Sequence, residues 1–538
     1  MDYDSIVKIF SRKKSFLILS LFFISFVCYV TTIHRHSISI ALFRPRFQCK
    51  IPENLLSMRD SQNISAYISL NQCFYKQFTN ETFKMCGKFK FDRSQIRETF
   101  ITTNHAVCGR NFIGLIYSLL QIINIPLVVL FGFLSDKIGR KVSVVILLAL
   151  HMSCQMTLGF VNEVWINVVL MSLKRLSVMT EIIGLIWIIE MNSCIHEPII
   201  ISLYFVFGTF SSFIVSLITI TTMRSKLVFL ISSGTMIIWV SILFIPESPR
   251  WLLIKNRHKK FYESIIAIAK LNKIDLPTNL VEDFIEYNEW IDVSKFSLKE
   301  LWRYSKIKYR LLALCFVAFS INLFPPNFVI DISKLHDGNY GFAFLKAAVI
   351  SSFFLAPLWI IKLWLKTYVM QVIILLITTA LFYSICLFFN PQVISHLVLQ
   401  YIFKFIAQNL LKTIMILLFS FVINLMPTTH RGFASSLLVV SAIFGNYFSN
   451  LVRMITVKFR GMMRDDIYII IVTYFLLNII SYICFYHQVP EIKCIPYPQI
   501  SSDAAIIEKG SEDELQREYE EKLFNFNKKY EFTHLFQK

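Results

Sequence analysis

The chain has 538 residues, 55% of them hydrophobic and only 17% charged, with 51 Phe and a formal net charge of +19. Soluble domains run at roughly 45–50% apolar and about 25% charged residues, so the balance excludes that class and points to a polytopic membrane protein. The basic excess does not indicate nucleic-acid binding, because Lys and Arg are dispersed among loops and membrane edges and form no compact basic domain.

Twelve apolar runs reach the roughly 18 residues of a spanning helix: 16–33, 112–134, 142–160, 164–190, 199–221, 227–245, 311–332, 342–361, 369–389, 393–425, 433–457 and 467–486. The expected fold is an all-α polytopic membrane protein with twelve transmembrane helices. The first run follows Arg12, Lys13 and Lys14 in the manner of a signal peptide. It is read as a retained span, since His34, Arg35 and His36 stand where a small-residue cleavage site would lie.

The loop 44–110 is basic but long, and long loops translocate largely regardless of charge. It carries both N-x-Ser/Thr sequons of the chain, at Asn63 and Asn80, together with Cys49, Cys73, Cys86 and Cys108. Glycan acceptors and an even cysteine set place it outside, with three pairings open. The remaining cysteines, Cys28, Cys154 and Cys386 among them, lie mostly within spans and read as small buried apolar residues. No metal-ligand spacing of Cys or His occurs, and no metal or cofactor is expected.

Residues 132–141, GFLSDKIGRK, join the second and third spans. Gly132 permits close helix approach, Gly139 allows the turn, and Asp136 with Arg140 and Lys141 supplies ion pairs that form in one conformation and break in another. After the sixth span a charged connector, 246–310, contains a helix-like run at 261–271 and is expected along the inner membrane face. Six spans on each side of it, 16–245 and 311–488, match a transporter built of two halves with its site between them. The tail, 489–538, turns polar and mixed in charge, and reads either as a solvated helix or as disordered. The positive-inside rule puts 1–15, Lys137 to Lys141 and the connector in the cytosol, and an even number of spans returns the tail there.

Six strings taken together resemble the organic cation, organic anion and carnitine transporters, the twenty-second solute-carrier family of the major facilitator superfamily. They are PRFQCKIP at 45–52, FDRSQIRET at 91–99 leading to Val107 and Cys108, the connector 132–141, PESPRWLL at 246–253, PTTHRG at 427–432 and VPEIK at 489–493. The resemblance implies a plasma-membrane carrier, both termini cytosolic, that moves a small organic ion through the lipid bilayer by alternating access. It implies no covalent chemistry, and a coupling ion is left open. It also implies a gating network of Asp136, Arg140, Lys141, Glu190, Glu247, Arg250, Arg431 and Glu491. Anchoring charges at the headgroup level are the plain alternative for these residues.

Departures from the family pattern bear on function. A second Asp-x-x-Gly-Arg-Arg latch is absent from IIKLWLKTY at 360–368, and Asn424 stands where an acidic residue would partner Arg431. Pro325 and Pro326 should break the seventh span. Ile443 replaces the usual charge selector of the eleventh. These losses motivate a rival reading, a transport-incompetent relative acting as a receptor or scaffold. Within the spans, Lys404, Gln408 and Lys412 recur every four residues on one face and are candidates to line the cavity. A local pair of Lys174 with Glu181 stands beside a substrate role for them, and if Lys174 is neutralised by Glu181 and Arg175 by Glu190, the two lysines of the tenth span are left unmatched. That balance favours organic anions or zwitterions over cations. No phosphate-binding loop and no catalytic constellation is present, so neither an ATP-driven pump nor an enzyme is expected.

Overall fold

In a bilayer every backbone polar group must be satisfied within the segment, so apolar runs of this length become helices. A computed structural model describes residues 7, 15–43, 45–50, 73–76, 83–94, 96–105, 107, 122–192, 196–233, 244–274, 298–323, 349, 368–385, 394–458, 466–491, 497, 498, 504, 507, 517 and 521. Its helices follow the apolar runs: α1 Ser15–Ala41, α2 Ile125–Ile138, α3 Arg140–Phe160, α4 Val164–Leu173, α5 Ser177–Met191, α6 Glu197–Thr222 and α7 Ser225–Ser233. Shorter connector helices follow, among them α8 Pro249–Ile254 and α9 His258–Asn272, the second containing the expected run 261–271. Then come α10 Ser305–Asn322, α11 Tyr368–Ile385, α12 Ile394–Leu425, α13 Arg431–Lys458 and α14 Asp466–Gln488. Among the described residues one helix, α3, is by itself long and apolar enough to cross a membrane.

Three differences from the sequence expectation have physical causes. Helix α1 continues past residue 33 to Ala41, because His34, Arg35 and His36 do not interrupt its hydrogen bonding. The expected fourth span is broken by a 3₁₀ turn, Lys174–Leu176, between α4 and α5. The long loop adds strands to an otherwise helical chain: β1 Phe47–Lys50 pairs antiparallel with β4 Lys88–Phe91, and β2 Phe74–Lys76 with β3 Phe83–Met85. Phe47, Phe89 and Val107 cover a Cys49–Cys86 disulfide, and Cys73 is also disulfide-bonded. Cys108, Asn63, Asn80, Pro325, Pro326 and most of 360–368 lie outside the described residues.

Among the described residues the main apolar cluster reaches from α1 through α5 and α10 to α14, with smaller clusters apart from it. Helix α13 packs on both α10 and α2, and so joins the earlier helices to the later ones. At the α2–α13 crossing, a Cβ on Gly132 would stand 2.6 Å from the Gly432 carbonyl oxygen, and one on Gly432 would stand 2.6 Å from that of Gly132. Only paired glycines allow this approach. Just beyond, Gly139 takes φ +130°, the conformation that separates α2 from α3.

Candidate functional site

The crossing of α2 and α13 brings Asp136 to the first turn of α13. Four N–H groups at a helix start have no partner within the helix, and the helix dipole favours a negative charge there. Asp136 meets both conditions: Gly432 N–H donates to Oδ1 at 3.0 Å and Phe433 N–H to Oδ2 at 2.8 Å. Its own chain segment holds it from behind, through Arg140 Nη2 at 3.1 Å from Oδ1. Trp251 Nε1 donates to the Asp136 carbonyl at 2.9 Å.

Arg140, 1% exposed, is the hub of the network. Its Nε lies 3.3 Å from Glu190 Oε2, Nη1 donates to the Ser135 carbonyl at 3.0 Å, and Nη2 donates to the Thr428 carbonyl at 2.7 Å. Glu190 sits near the end of α5 and also takes Arg431 Nη1 at 3.1 Å and Ser248 Oγ at 2.7 Å. The expectation that Arg431 has lost its partner through Asn424 is corrected by this pair. The carboxylate comes from α5, on the other side of the seam, so it could not be found next to Pro427.

Glu247 and Glu491 play equivalent parts at two helix starts. Glu247 accepts from the N–H groups of Arg140 and Lys141 at the head of α3, each at 3.1 Å. Burial pushes its carboxyl above the ordinary carboxylate range, and donation from Lys141 and Ser248 opposes that shift. Glu491 accepts from Val369 N–H at 3.0 Å and from Tyr368 N–H at the head of α11. The same dipeptide, Pro-Glu, thus follows the sixth and twelfth apolar runs and caps the helices on the third and ninth runs. Lys141 enters the site through its backbone and is half-buried.

Sequence reasoning missed a second cluster beside the first. Glu197, 4% exposed and first residue of α6, accepts from Asn424 Nδ2 at 2.9 Å, from Tyr497 Oη at 3.0 Å and from Ser420 Oγ. The Tyr497 ring lies 4.8 Å from the Arg250 guanidinium carbon and 5.3 Å from that of Arg431. The Pro498 carbonyl accepts from Thr428 N–H at 3.1 Å and Arg431 Nη2 at 3.2 Å. Arg310 donates to the Ala504 carbonyl at 2.8 Å and to that of Ile507. At these positions the tail is packed into the protein, which differs from the solvated segment expected beyond residue 501. One available signal was the acid at 197 ahead of Pro198, opening an apolar run.

Two expected pairs are corrected. Lys174 does not meet Glu181: it donates to Gln155 Oε1 and stands 3.5 Å from Ser37 Oγ and 4.7 Å over the Phe229 ring. A 3₁₀ turn advances about 120° per residue, so the turn at Lys174 rotates it off the face that seven-residue helical spacing assumes. Arg175 and Glu190 are likewise apart. Fifteen residues of helix amount to about 22 Å, Arg175 is exposed, and Glu190 is taken by Arg140 and Arg431. Lys404, Gln408 and Lys412 fall on α12, and their side chains lie outside the described residues.

The profile of the family described as "Sugar (and other) transporter" matches residues 54–504. Among curated proteins, the chain is 25% identical over 278 residues to an organic cation transporter-like protein of Drosophila melanogaster, covering 46% of this chain and 47% of that one. It is 23% identical to an organic cation transporter protein of the same organism, over 53% of this chain and 56% of the relative. It is 24% identical to a human steroid transmembrane transporter, over 52% of each. The match spans about half the length of these relatives. Among solved structures, a double-tryptophan mutant of XylE superposes with a TM-score of 0.61 at 14% identity, covering 92% of this chain and 99% of that one. The proton:xylose symporter XylE bound to 6-bromo-6-deoxy-D-glucose gives 0.57 at 14%, covering 92% and 100%. The all-α fold is that of the major facilitator superfamily, and the chain belongs to the sugar (and other) transporter family, whose members are transporters and not enzymes.

Proposed function

We propose that the protein carries small organic ions across the plasma membrane by alternating access, with the network around Asp136, Arg140, Glu190 and Arg431 as its inner gate. The observation that carries the reading is the Asp136 carboxylate bound to the N–H groups of Gly432 and Phe433. This is a contact between the two sets of helices that separates cleanly when they rock, since each partner finds water once apart. Fold likeness to XylE supports the general mode of action.

The finer assignment is to the organic cation, organic anion and carnitine transporters. Its support is the set of six strings and the organic-cation names carried by two of the relatives. The division into halves at 16–245 and 311–488, joined by the cytosolic connector 246–310, is supported by the paired capping roles of Glu247 and Glu491. Organic anions or zwitterions are favoured as substrates. The support is the recurrence of Lys404, Gln408 and Lys412 on one helical face, since a cavity with low-dielectric walls gathers ions of the opposite sign. The receptor or scaffold alternative drew its force from the missing second latch. The Glu197 cluster ties α6 to α12 beside the first network and weakens the argument for it.

Uptake of a mixed panel of labelled organic anions, cations and zwitterions into cells with confirmed surface expression tests the reading. Saturable uptake of an anion or zwitterion is expected, reduced several-fold by Lys412→Gln with cation flux little changed. Ready transport of quaternary ammonium compounds with no anion uptake reverses the sign, and no saturable uptake of any class favours the receptor reading.

A further inference from the structure

The sequence lacks a second latch motif at 360–368 and has Asn424 where an acidic residue is expected. A carrier held shut at one side of its seam only would leave the other side to part first. Among the described residues a different set of groups ties α6 to α12 beside the first network. Glu197 opens α6, where the helix dipole favours its charge, and its carboxylate accepts from Asn424 Nδ2, Ser420 Oγ and Tyr497 Oη. The donors come from residues 223, 227 and 300 positions further along the chain. Two come from α12 and one from the tail.

The chemistry accounts for the asparagine. A carboxylate at 424, within hydrogen-bond distance of Glu197, would set two like charges in a buried site where both cannot be ionised. An amide at that position turns the repulsion into a donated hydrogen bond. Tyr497 completes the arrangement from both ends. Its hydroxyl meets Glu197, while its ring lies against the guanidinium groups of Arg250 and Arg431, one from each side of the seam, in contacts favourable between cations and aromatic faces. The Tyr497 carbonyl also accepts from Arg250 Nη1 at 3.4 Å.

We infer that Glu197, Ser420, Asn424 and Tyr497 form a substitute second latch, in which a carboxylate that accepts from Ser420, Asn424 and, from the tail, Tyr497 takes over from the missing motif in closing the inner gate. The inference rests on the alternating-access reading. Tyr497 acts as a positioning residue: it holds Glu197 and the two arginines in the closed arrangement and touches no substrate. The tail is therefore part of the gate at residues 497 and 498, and opening must release it.

Distance distributions across the seam test this with no substrate required. Spin labels on ketone-bearing amino acids at the exposed positions Lys137 and Gln488 report on the full-length protein in lipid nanodiscs. Wild type should show a short and a long distance, the short one dominant. Tyr497→Phe keeps the ring and loses a hydrogen bond to a charged group, and should lower the short-to-long ratio about tenfold. Tyr497→Ala should lower it further, and Asn424→Asp at least as much as Tyr497→Phe. Combining Asn424→Asp with Glu197→Gln restores one carboxylate facing one amide, and should return the ratio towards wild type, a rescue that general loss of packing does not produce. Two wild-type distances with a ratio unmoved by Tyr497→Phe and Asn424→Asp would overturn the latch and leave alternating access standing. One fixed distance in wild type and every variant would overturn both.

Discussion

Asp136→Asn isolates the contact on which the gate reading rests. The Asp136 carboxylate has one partner on its own side, Arg140 at 3.1 Å, and two across the seam, the N–H groups of Gly432 and Phe433 at 3.0 and 2.8 Å. Opening breaks only the second kind. A hydrogen bond to a charged group contributes about 1.5–3 kcal/mol and a neutral one about 0.5–1.5. Asparagine keeps one oxygen for one N–H, turns an amide donor towards the other, and removes the charge facing the start of α13. The differential cost to the closed state is about 2–3 kcal/mol, or roughly 30- to 150-fold in the closed-to-open ratio. Hydrogen exchange followed by mass spectrometry reads this directly where exchange tracks the open population. The peptide covering 427–436 should exchange faster by that factor, while the head of α11, capped by Glu491 and not by Asp136, should not change. Equal protection of 427–436 in variant and wild type would refute the argument.

Two further outcomes follow from the same geometry. In Gly432→Ala the new Cβ would meet the Gly132 carbonyl oxygen at 2.6 Å and Asp136 Oδ1 at 3.0 Å, an overpacking cost of about 1–3 kcal/mol that falls on the closed state alone; faster exchange of the same peptide is the readout, and unchanged exchange would show that the helices do not cross this closely. With the long loop outside the cell, Asn63→Gln and Asn80→Gln should each remove a glycosidase-sensitive mobility step from surface protein, and identical mobility before and after treatment would count against that orientation.

Much of the fold was legible because it is written locally. An apolar run declares a helix, and the glycines, Asp136 and Arg140 of 132–141 lie within ten residues of one another, so their spacing carries the turn and the ion pair together. What local patterns cannot carry is the identity of distant partners. Arg431 finds Glu190 from 241 positions away, and Glu197 finds Asn424 across 227. Asn424 looked like a loss in isolation and is a donor in context. Lys174 and Glu181 failed as a pair for a related reason: the spacing rule assumes an unbroken helix, and a 3₁₀ turn intervenes. The tail was the hardest to read, since Tyr497 and Pro498 are held by arginines and a threonine from elsewhere in the chain and by no periodic pattern of their own.

Solute counterflow tests alternating access most directly. Purified protein in proteoliposomes, preloaded with an unlabelled mixture of organic anions and zwitterions and diluted into traces of the labelled compounds, should accumulate label transiently above its equilibrium level. The overshoot should be smaller in Asp136→Asn. Label that only equilibrates, or never enters beyond protein-free vesicles, would contradict a gate that opens to one side at a time.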